Sequence, residues 1–409
     1  MKLLQVDTIE EARAKLLSCL GASGGAAEQA PLSQALGRIA AADVPAPGDL
    51  PAFRRSTVDG YAVVAADTSG AGETLPVFLR LAGSVAMGEG ASLRVHRGEC
   101  AYVPTGAMIP PGADAVVMVE YCENTGTGTI GVCESLAPGS GLVEPGEDCR
   151  AGQGLLSRGC LIRPQEAGAL AAAGLTKVPV YPPRTLSLLS TGDELIPPEG
   201  EPGPGQIRDI NSTALAALAE KNGYRVVLRR IIPDEEALLM EAVRGAVKVS
   251  DVVVLSGGSS QGDRDWTGAV FSRLARPGIL CHGLALKPGK PTLIAWDEAT
   301  QTLLMGLPGH PVSAMMVFTL LLSWLSRTLA QAPEPFPIPA RISSNLPGSP
   351  GKTLCQPVHL RREAGGYLAD PVFGKSGMIT TLIRADGFIL IDKNREGLKK
   401  EEEVWVHLF

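Results

Sequence analysis

The sequence predicts a multidomain chain of α/β and β units. A doubly wound domain with a parallel sheet is accompanied by an inserted β-rich domain, a helical and linker domain, and a C-terminal β domain. The chain has 409 residues, whereas one domain ordinarily takes about 100–200. Strand-like and helix-like runs alternate in residues 181–330, which is typical of a parallel sheet covered by helices. Short apolar runs separated by turns dominate residues 51–146 and the end of the chain, which is typical of β domains.

Residues 1–50 and 147–180 are predicted to form the discontinuous helical and linker domain. Thr8 and Glu11 have the spacing of a capping box at the start of one helix, and a second helix is expected over Pro164–Ala173. Residues 51–146 are predicted to be the inserted β-rich domain. Its short apolar runs are Thr74–Leu81, Cys100–Val103 and Ala115–Val119.

The α/β domain is predicted over residues 181–330, after the stiff Pro182-Pro183 pair. Its predicted strands are Thr185–Leu189, Arg225–Ile232, Val252–Leu255 and Thr302–Met305. Its predicted helices are Ser212–Lys221, Asp234–Val247, Thr267–Leu274 and Pro311–Leu329. This order predicts a parallel sheet with helices on both faces.

Residues 331–409 are predicted to form the C-terminal β domain behind a linker. Every second residue from Pro333 to Pro339 is proline, which predicts an extended segment. The strand-like runs that follow are Thr353–Leu360, Gly387–Ile391 and Glu403–Phe409.

Composition excludes several classes of function. A net charge of −6 argues against general nucleic-acid binding, which needs a surplus of cations. The longest apolar stretches are shorter than the roughly 20 residues that span a bilayer, so no membrane insertion is expected. Eight cysteines without a C-x-x-C pair, and an N-terminus without an apolar signal core, predict a reducing cytoplasmic location.

Glycines and acidic residues follow two predicted strands. Ligands of doubly wound sheets bind beyond the carboxyl ends of the strands. Gly192 permits a tight turn before Asp193 and Glu194, although such a triplet alone is more typical of a solvated turn. The glycine-rich segment Ser256–Asp265 can bring backbone N–H groups close to an anion, and its alternative interpretation is a flexible surface loop.

Two lysines are expected near the same strand ends. Lys287 and Lys290 stand between prolines that fix the backbone, so contacts to phosphate or to an oxyanion are predicted, with two exposed lysines as the alternative. The segment is not a Walker A motif, because Gly283 and Gly289 enclose five residues where four are needed.

The segment Gly306–Ser313 joins a predicted strand to a long apolar helix. Pro311 suits the first helical position, and the free N–H groups of the first turn predict an anion site. His310 is expected to form a hydrogen bond, because no second histidine stands at metal-ligand spacing from it.

Several carboxylates are predicted to lie around one rim with these lysines. Their hard oxygen atoms suit Mg²⁺ that is shared with substrate phosphates, so Mg²⁺ is the expected cofactor. The carboxylates are Asp193, Glu194, Asp209, Asp234 and Asp265.

Taken in order, eight motifs resemble the MoeA family of molybdopterin molybdenumtransferases, whose relatives include the E domain of gephyrin. The resemblance covers nearly the whole chain. The motifs are Phe53–Val63, Pro104–Ala107, Gly146–Asp148, Ser190–Leu195, Asp209–Asn211, Ser256–Gly258, Lys287–Pro291 and Gly306–Ala314.

The resemblance implies four domains, of which the α/β domain is similar to molybdopterin adenylyltransferase. It implies an elongated homodimer, in which Asp59 and Thr105 act across the interface on the cleft of the other subunit. The implied Mg²⁺-dependent reaction inserts molybdate or tungstate, both tetrahedral oxyanions, into adenylylated molybdopterin and releases AMP. Transient contacts with molybdopterin adenylyltransferase and with apo-molybdoenzymes are also implied.

The resemblance carries roles over to particular residues. Ser376 would contact the oxyanion from the C-terminal domain, and Glu194, Asp234 and Asp265 would handle the metal. The catalytic residues would be Asp59, Thr105, Asp148, Asp234 and Asp265. The substrate-binding residues would be Gly192, Asp193, Glu194, Asn211, Ser256, Gly257, Gly258, Lys287, Lys290, Pro308, Gly309, His310, Pro311, Ser313 and Ser376.

One departure from the family and two alternative functions remain. Members of the family often carry basic residues directly before the Gly146 motif, where this chain has Val143, Glu144 and Pro145. The alternative functions are adenylylation of molybdopterin, the preceding step, and a non-catalytic scaffold of the gephyrin type. Asp59 and Thr105 favour the insertion reaction.

Overall fold

The computed structural model describes residues 6–20, 27–257 and 266–409. Three six-stranded sheets organise this part of the chain, one in the inserted domain, one in the α/β domain and one in the C-terminal domain. All eight cysteines lie within the described ranges as free thiols.

The α/β sheet is mixed, and not wholly parallel as predicted. In chain order its strands are Arg184–Thr191, Tyr224–Ile232, Val252–Ser256, Pro277–His282, Leu293–Asp297 and Thr302–Leu307, here called the first to sixth strands. Their spatial order is second, first, third, sixth, fifth, fourth. The second, first, third and sixth run parallel, whereas the fifth and fourth add an antiparallel edge. Such an edge on a parallel sheet is common in α/β folds.

Helices cover both faces of this sheet, as a doubly wound fold requires. Glu236–Ala246 and Trp266–Leu274 pack on one face around Leu255 and Phe271. Asn211–Lys221 and the long helical segment Pro311–Leu329 pack on the other face. All residues of the third and sixth strands are buried, which explains their continuous apolar sequences.

The long helical segment is interrupted by one π-helical turn. It consists of Pro311–Phe318, the π turn Thr319–Ser323 and Trp324–Leu329. A π turn shifts the backbone hydrogen bonds, and here Arg13 Nη2 donates to Leu320 O at 2.8 Å while the guanidinium lies over the Trp324 ring. The segment is long and apolar enough to cross a membrane, but 67% of its apolar window is buried, as in a core helix.

The N-terminal helix Ile9–Leu20 begins with the predicted capping box. Thr8 N donates to Glu11 Oε2 at 2.8 Å, and Glu11 N donates to Thr8 Oγ1 at 3.2 Å. Its apolar residues Ile9, Ala12 and Leu16 belong to the core of the α/β domain. The helix therefore packs on the face that also holds the long helical segment.

The linker domain consists of two strand pairs and a helix. Glu28–Pro31 pairs with Lys177–Val180, Val44–Pro45 pairs with Gly154–Leu156, and the helix Pro164–Ala172 packs beside them. The chain passes between the linker domain and the inserted domain twice, near Pro51 and near Gly146. The two passages are bonded to each other, because Gly146 N donates to Pro51 O and Asp148 N donates to Leu50 O, both at 3.0 Å.

The inserted domain is built on its own sheet with two apolar clusters. In spatial order the strands are Ala115–Met118, Gly60–Val63, Glu99–Val103, Val77–Ser84, Thr129–Val132 and Cys122–Asn124. The pair Arg55–Ser56 with Leu142–Val143 lies at its base. Short 3-10 turns are Ala65–Thr68 and Val119–Tyr121, with a third, Leu32–Gln34, in the linker domain.

The C-terminal sheet curls on itself and takes one strand from the α/β domain. Its spatial order is Leu286–Lys287, Thr353–Glu363, Gly366–Pro371, Ile338–Ile342, Glu403–Leu408 and Gly387–Ile391, and an added pairing of Thr353–Glu363 with Gly387–Ile391 makes it barrel-like. A short helix covers Thr380–Ile383. The predicted proline linker is shorter than expected, because Pro339 already pairs with Trp405 near the start of a strand, a position that tolerates proline.

Candidate functional site

The carboxyl ends of the first, third and sixth strands form the floor of the candidate site. Ser190 lies beside Ser256, and Ser256 lies beside Leu307 in the parallel register. Gly257 has φ +102°, and a Cβ there would overlap the carbonyl oxygen of Thr191. Only glycine fits this close approach without a shift.

Asn211 connects this floor to the loop around Gly309, which follows the sixth strand. Its Nδ2 donates to Ser256 Oγ and to Gly309 O, both at 2.7 Å. Among the described residues, two buried polar atoms at this floor, Asn211 Oδ1 and Ser190 Oγ, have no hydrogen-bond partner. Buried polar atoms in native proteins are nearly always paired, so both are suited to contact a polar ligand or water.

Ser190 was not among the predicted site residues. A signal was present in the sequence, because a serine within a buried apolar strand needs a partner. Ser190 lies within the strand, whereas the predicted site residues follow the strands.

Three carboxylates gather at the ends of the first and second strands. Asp193 Oδ1 accepts from Asp234 N at 3.0 Å, and Asp234 Oδ1 accepts from the Thr191 hydroxyl. The Glu194 carboxylate folds over Gly192, where a Cβ would lie 2.6 Å from Oε2. The predicted carboxylate rim is therefore partly assembled, whereas Asp265 and Gly258 lie outside the described residues.

Asp209 has a different position from the one predicted. Its side chain is buried, and its Oδ1 accepts from Ser212 N at 3.1 Å at the start of the helix Asn211–Lys221. Aspartate often caps a helix in this way. Asp209 thus supports the helix that carries Asn211 and is not an exposed rim carboxylate.

An open cavity of 640 Å³ adjoins the carboxylates. Asp234, Glu235, Met240 and Trp266 are among the residues that line it. The Trp266 Nε1 atom is buried and has no hydrogen-bond partner within the part of the chain that the structure describes. The cavity continues the site along the face covered by the helices Glu236–Ala246 and Trp266–Leu274.

The lysine loop, residues 283–292, is held from three sides. Asp7 N donates to Gly283 O at 3.0 Å, and Ala285 N donates to Asp7 O at 2.7 Å. Gly289 lies against the long helical segment, where a Cβ would be 2.7 Å from Val317 Cγ2. Lys287 pairs with Leu354 of the C-terminal sheet. The loop is therefore fixed before any ligand binds.

Both lysines of this loop are exposed. Within the described ranges neither Lys287 nor Lys290 forms an ion pair with a carboxylate. A free ammonium group on a fixed backbone is suited to an anionic ligand.

The C-terminal domain takes up one N–H group of the anion site that the sequence predicted at the start of the long helical segment. Pro311 has no N–H, and the Val312 N–H donates to Ser376 O at 3.1 Å. His310 Nδ1 lies 2.8 Å from Ser376 Oγ. Pro308 and Ser313 are buried around this contact. The C-terminal domain thus occupies a position that local sequence left free.

Asp59 and Thr105 form a second polar centre in the inserted domain. Asp59 Oδ1 accepts from Thr105 N at 2.7 Å and from Thr105 Oγ1 at 3.2 Å. Asp148 is exposed at the crossing into the linker domain. Within the described part of a single chain, no hydrogen bond or ion pair joins these three residues to the strand-end carboxylates.

Glu144 lies in the segment before Gly146 where the sequence departs from the basic residues expected from the resemblance. Its carboxylate forms an ion pair with Arg54. Arg54 Nε lies 3.0 Å from Glu144 Oε2, and Arg54 Nη2 lies 2.7 Å from Glu144 Oε1. This two-pronged geometry is the strong form of the arginine–carboxylate pair. Arg54 is consequently engaged within its own chain.

Acidic residues, glycines and lysines near the strand ends of a doubly wound sheet are typical of multidomain proteins whose α/β domain takes an anionic ligand. Three family models match this chain: the MoeA N-terminal region (domain I and II) over residues 7–174, the probable molybdopterin binding domain over 187–327, and the MoeA C-terminal region (domain IV) over 339–409.

Whole-length relatives agree with these models. A putative molybdopterin biosynthesis protein of Methanocaldococcus jannaschii is 31% identical over 92% of this chain and 90% of its own length. A molybdopterin molybdenumtransferase of Haemophilus influenzae is 31% identical over 98% of both chains. The crystal structure of a molybdopterin biosynthesis MoeA protein from Pyrococcus horikoshii superposes with a TM-score of 0.84, at 29% identity, over 99% of this chain and 100% of that chain.

This chain belongs to the MoeA family, which acts in molybdenum cofactor biosynthesis. The resemblance seen in the motifs and the predicted fold class are both confirmed. The roles assigned to individual residues stay predictions.

Proposed function

We propose that this protein is a molybdopterin molybdenumtransferase that inserts molybdate into adenylylated molybdopterin and releases AMP. Relatives of nearly equal length carry the name molybdopterin molybdenumtransferase. The observation that carries the proposal is that the chain has both strand-end carboxylates and two lysines on a fixed loop that form no ion pair with any described residue. This combination suits a substrate that brings both phosphates and an oxyanion.

Cleavage of a phosphoanhydride moves negative charge onto the leaving phosphate. Positioned cations stabilise that charge, and this is commonly the largest contribution to catalysis of such reactions. Lys287 and Lys290 are assigned to this role. A carboxylate that orients water contributes about 10²–10⁴-fold when well placed, and Asp59 or Asp148 is assigned to that role.

The described residues fit Mg²⁺ as an ion shared with substrate. No group of three or more His, Cys, Asp or Glu residues within the described ranges could hold a metal ion by itself. Mg²⁺ is usually bound through one or two carboxylates plus substrate phosphates, and Glu194 and Asp234 offer two such groups. When bound, Mg²⁺ would offset negative charge on the phosphates. Asp265 remains a predicted third ligand.

A homodimer is part of the proposal, because Asp59 and Thr105 have no hydrogen bond or ion pair with the described residues of the strand-end site in their own chain. Apolar side chains are exposed close to Asp59: Met118 is 37% exposed and Val119 is 36% exposed, and Val119 N donates to Asp59 O at 3.0 Å. A partner subunit that covers them would also bring Asp59 to a cleft. We assign the protein to the cytoplasm, with molybdopterin adenylyltransferase and apo-molybdoenzymes as transient partners.

The test is AMP release from adenylylated molybdopterin by the purified protein with Mg²⁺, titrated with molybdate and separately with tungstate. Oxyanion-stimulated release with metal incorporation supports the proposal and ranks the two oxyanions. Turnover of ATP with molybdopterin, without AMP release from the adenylylated form, would assign the protein to the preceding step. Inertness in both assays would favour a scaffold.

Asp59→Asn separates substrate binding from the hydrolytic step. The variant should bind adenylylated molybdopterin with nearly wild-type affinity, because the amide keeps an oxygen for Thr105, and should release AMP at least about 10²-fold more slowly. Wild-type AMP release by this variant would remove Asp59 from the mechanism.

A further inference from the structure

Ser376 is a half-buried serine that the α/β domain fixes at two atoms. Its hydroxyl lies 2.8 Å from His310 Nδ1, and its carbonyl oxygen accepts from Val312 N at 3.1 Å. The adjacent Gly377 passes over the imidazole, where a Cβ would lie 3.6 Å from Cδ2. The position of the hydroxyl therefore follows His310 and not the loop alone.

His310 is itself held by its neighbours. Gly309 O accepts from Asn211 Nδ2 at 2.7 Å, and His310 O accepts from Ala314 N at 2.9 Å. His310 precedes the first helical residue, but its side chain does not cap that helix. The imidazole instead reaches across the domain boundary to Ser376.

The two possible directions of this hydrogen bond have different consequences. If the serine hydroxyl donates to Nδ1, its one proton is used and cannot reach another acceptor. If Nδ1–H donates to the serine oxygen, the hydroxyl proton stays free. An oxyanion can only accept hydrogen bonds, so a serine that donates to it must be in the second state.

We propose that His310 is a positioning residue that donates from Nδ1 to Ser376 and so leaves the serine hydroxyl free to donate to the bound oxyanion. This inference rests on the function proposed above and on the oxyanion contact that the family resemblance implies for Ser376. His310 then acts through the serine and does not touch the oxyanion. The same contact joins the α/β and C-terminal domains at the site.

Asparagine and glutamine variants separate this role from a merely structural one. In His310→Asn the side-chain amide takes the place of Nδ1 and can donate to Ser376, whereas in His310→Gln the amide corresponds to Nε2 and points away. Molybdate binding is measured by isothermal titration calorimetry on the purified protein, and the KM for molybdate is taken from AMP release.

We expect His310→Ala and His310→Gln to weaken molybdate binding about 5–10-fold, the effect of one lost hydrogen bond. His310→Asn should stay within about 2-fold of the wild type on the same reasoning. The kcat at saturating molybdate should change less than about 2-fold in all three. The serine contacts the oxyanion equally in the bound complex and in the transition state, so its loss weakens binding without raising the barrier from the bound complex. Equal affinity in the Asn and Gln variants overturns the inference, as does absence of molybdate binding by the wild type.

A double-mutant cycle tests whether His310 acts through Ser376. Ser376→Ala should weaken molybdate binding as much as His310→Ala does, and His310→Ala should add no further loss in the Ser376→Ala background. Additive losses would show that His310 acts by another route. If the alanine variants unfold, as circular dichroism would reveal, the Asn and Gln pair still decides the question.

His359→Asn is the matched control. His359 is exposed in the C-terminal domain, and its Nδ1 pairs with Asp386 at 2.7 Å. The affinity of the His359→Asn variant for molybdate should equal that of the wild type. The proposed function and the role of His310 fail separately: no oxyanion-dependent AMP release despite molybdate binding refutes the function, whereas wild-type release with no difference between Asn and Gln refutes the role.

Discussion

Replacing Asn211 by alanine should destabilise the α/β domain strongly for a single polar substitution. The change removes two hydrogen bonds, to Ser256 Oγ and to Gly309 O, both 2.7 Å long. Each is worth about 0.5–1.5 kcal/mol net, and leaving a buried partner unsatisfied costs about 1–3 kcal/mol. Because Asn211 Oδ1 has no partner among the described residues, its removal lowers the net destabilisation. We expect the free energy of unfolding to fall by about 2–3 kcal/mol.

Tryptophan fluorescence during urea unfolding measures this change. Three of the four tryptophans, Trp266, Trp296 and Trp324, belong to the α/β domain, so the signal reports mainly on that domain. Asn222→Ala is the matched control at the other end of the same helix. Its half-buried amide donates to Leu218 O at 2.7 Å and accepts a longer bond of 3.4 Å from Arg327 Nη1, so about 1 kcal/mol is expected. A loss in Asn211→Ala no greater than in this control would refute the reasoning.

Three further predictions follow from single contacts. Gly257→Ala should displace the strand-end loop, because the new methyl group overlaps Thr191 O at φ +102°, and should abolish detectable binding of adenylylated molybdopterin in a calorimetric titration while helix content is retained. His407 stacks on Phe388, and burial lowers its pKa below the usual 6.5. The unfolded chain therefore takes up this proton first as the pH falls, so stability present above pH 6.5 should decline below it, and in urea titrations His407→Gln should flatten that decline. Lys290→Ala should weaken the response of AMP release to molybdate more than nucleotide binding, and equal losses in both would indicate a structural lysine.

Local sequence patterns predicted the parallel part of the α/β sheet because its strands are uniformly apolar and regularly separated by helices. The antiparallel edge was missed for a physical reason. The fourth strand begins with Pro277-Gly278, and the fifth strand follows the prolines of the lysine loop. Both patterns are typical of turns. Pairing with the already formed sixth strand overrides those local preferences, and such tertiary pairing leaves no periodic signal.

The same limit applies to the site. The glycines and carboxylates after the strands could be predicted, because their backbone geometry is local. The capture of the Val312 N–H by Ser376 could not, since the two residues are 64 positions apart in the sequence and belong to different domains. Asp209 was placed with the rim carboxylates because a cap and a ligand have the same residue type, and burial alone separates them.

The pairing of Leu286–Lys287 with Thr353–Leu354 places one lysine of the lysine loop in the C-terminal sheet, although the rest of the loop belongs to the α/β domain. Its backbone leaves the α/β domain, crosses to the C-terminal domain and returns within a few residues. The same loop is bonded to Asp7 and packs on Val317 of the long helical segment. Rotation of the C-terminal domain as a rigid body would therefore have to break this strand pairing or strain the loop, so the lysine loop restrains the two domains against relative rotation.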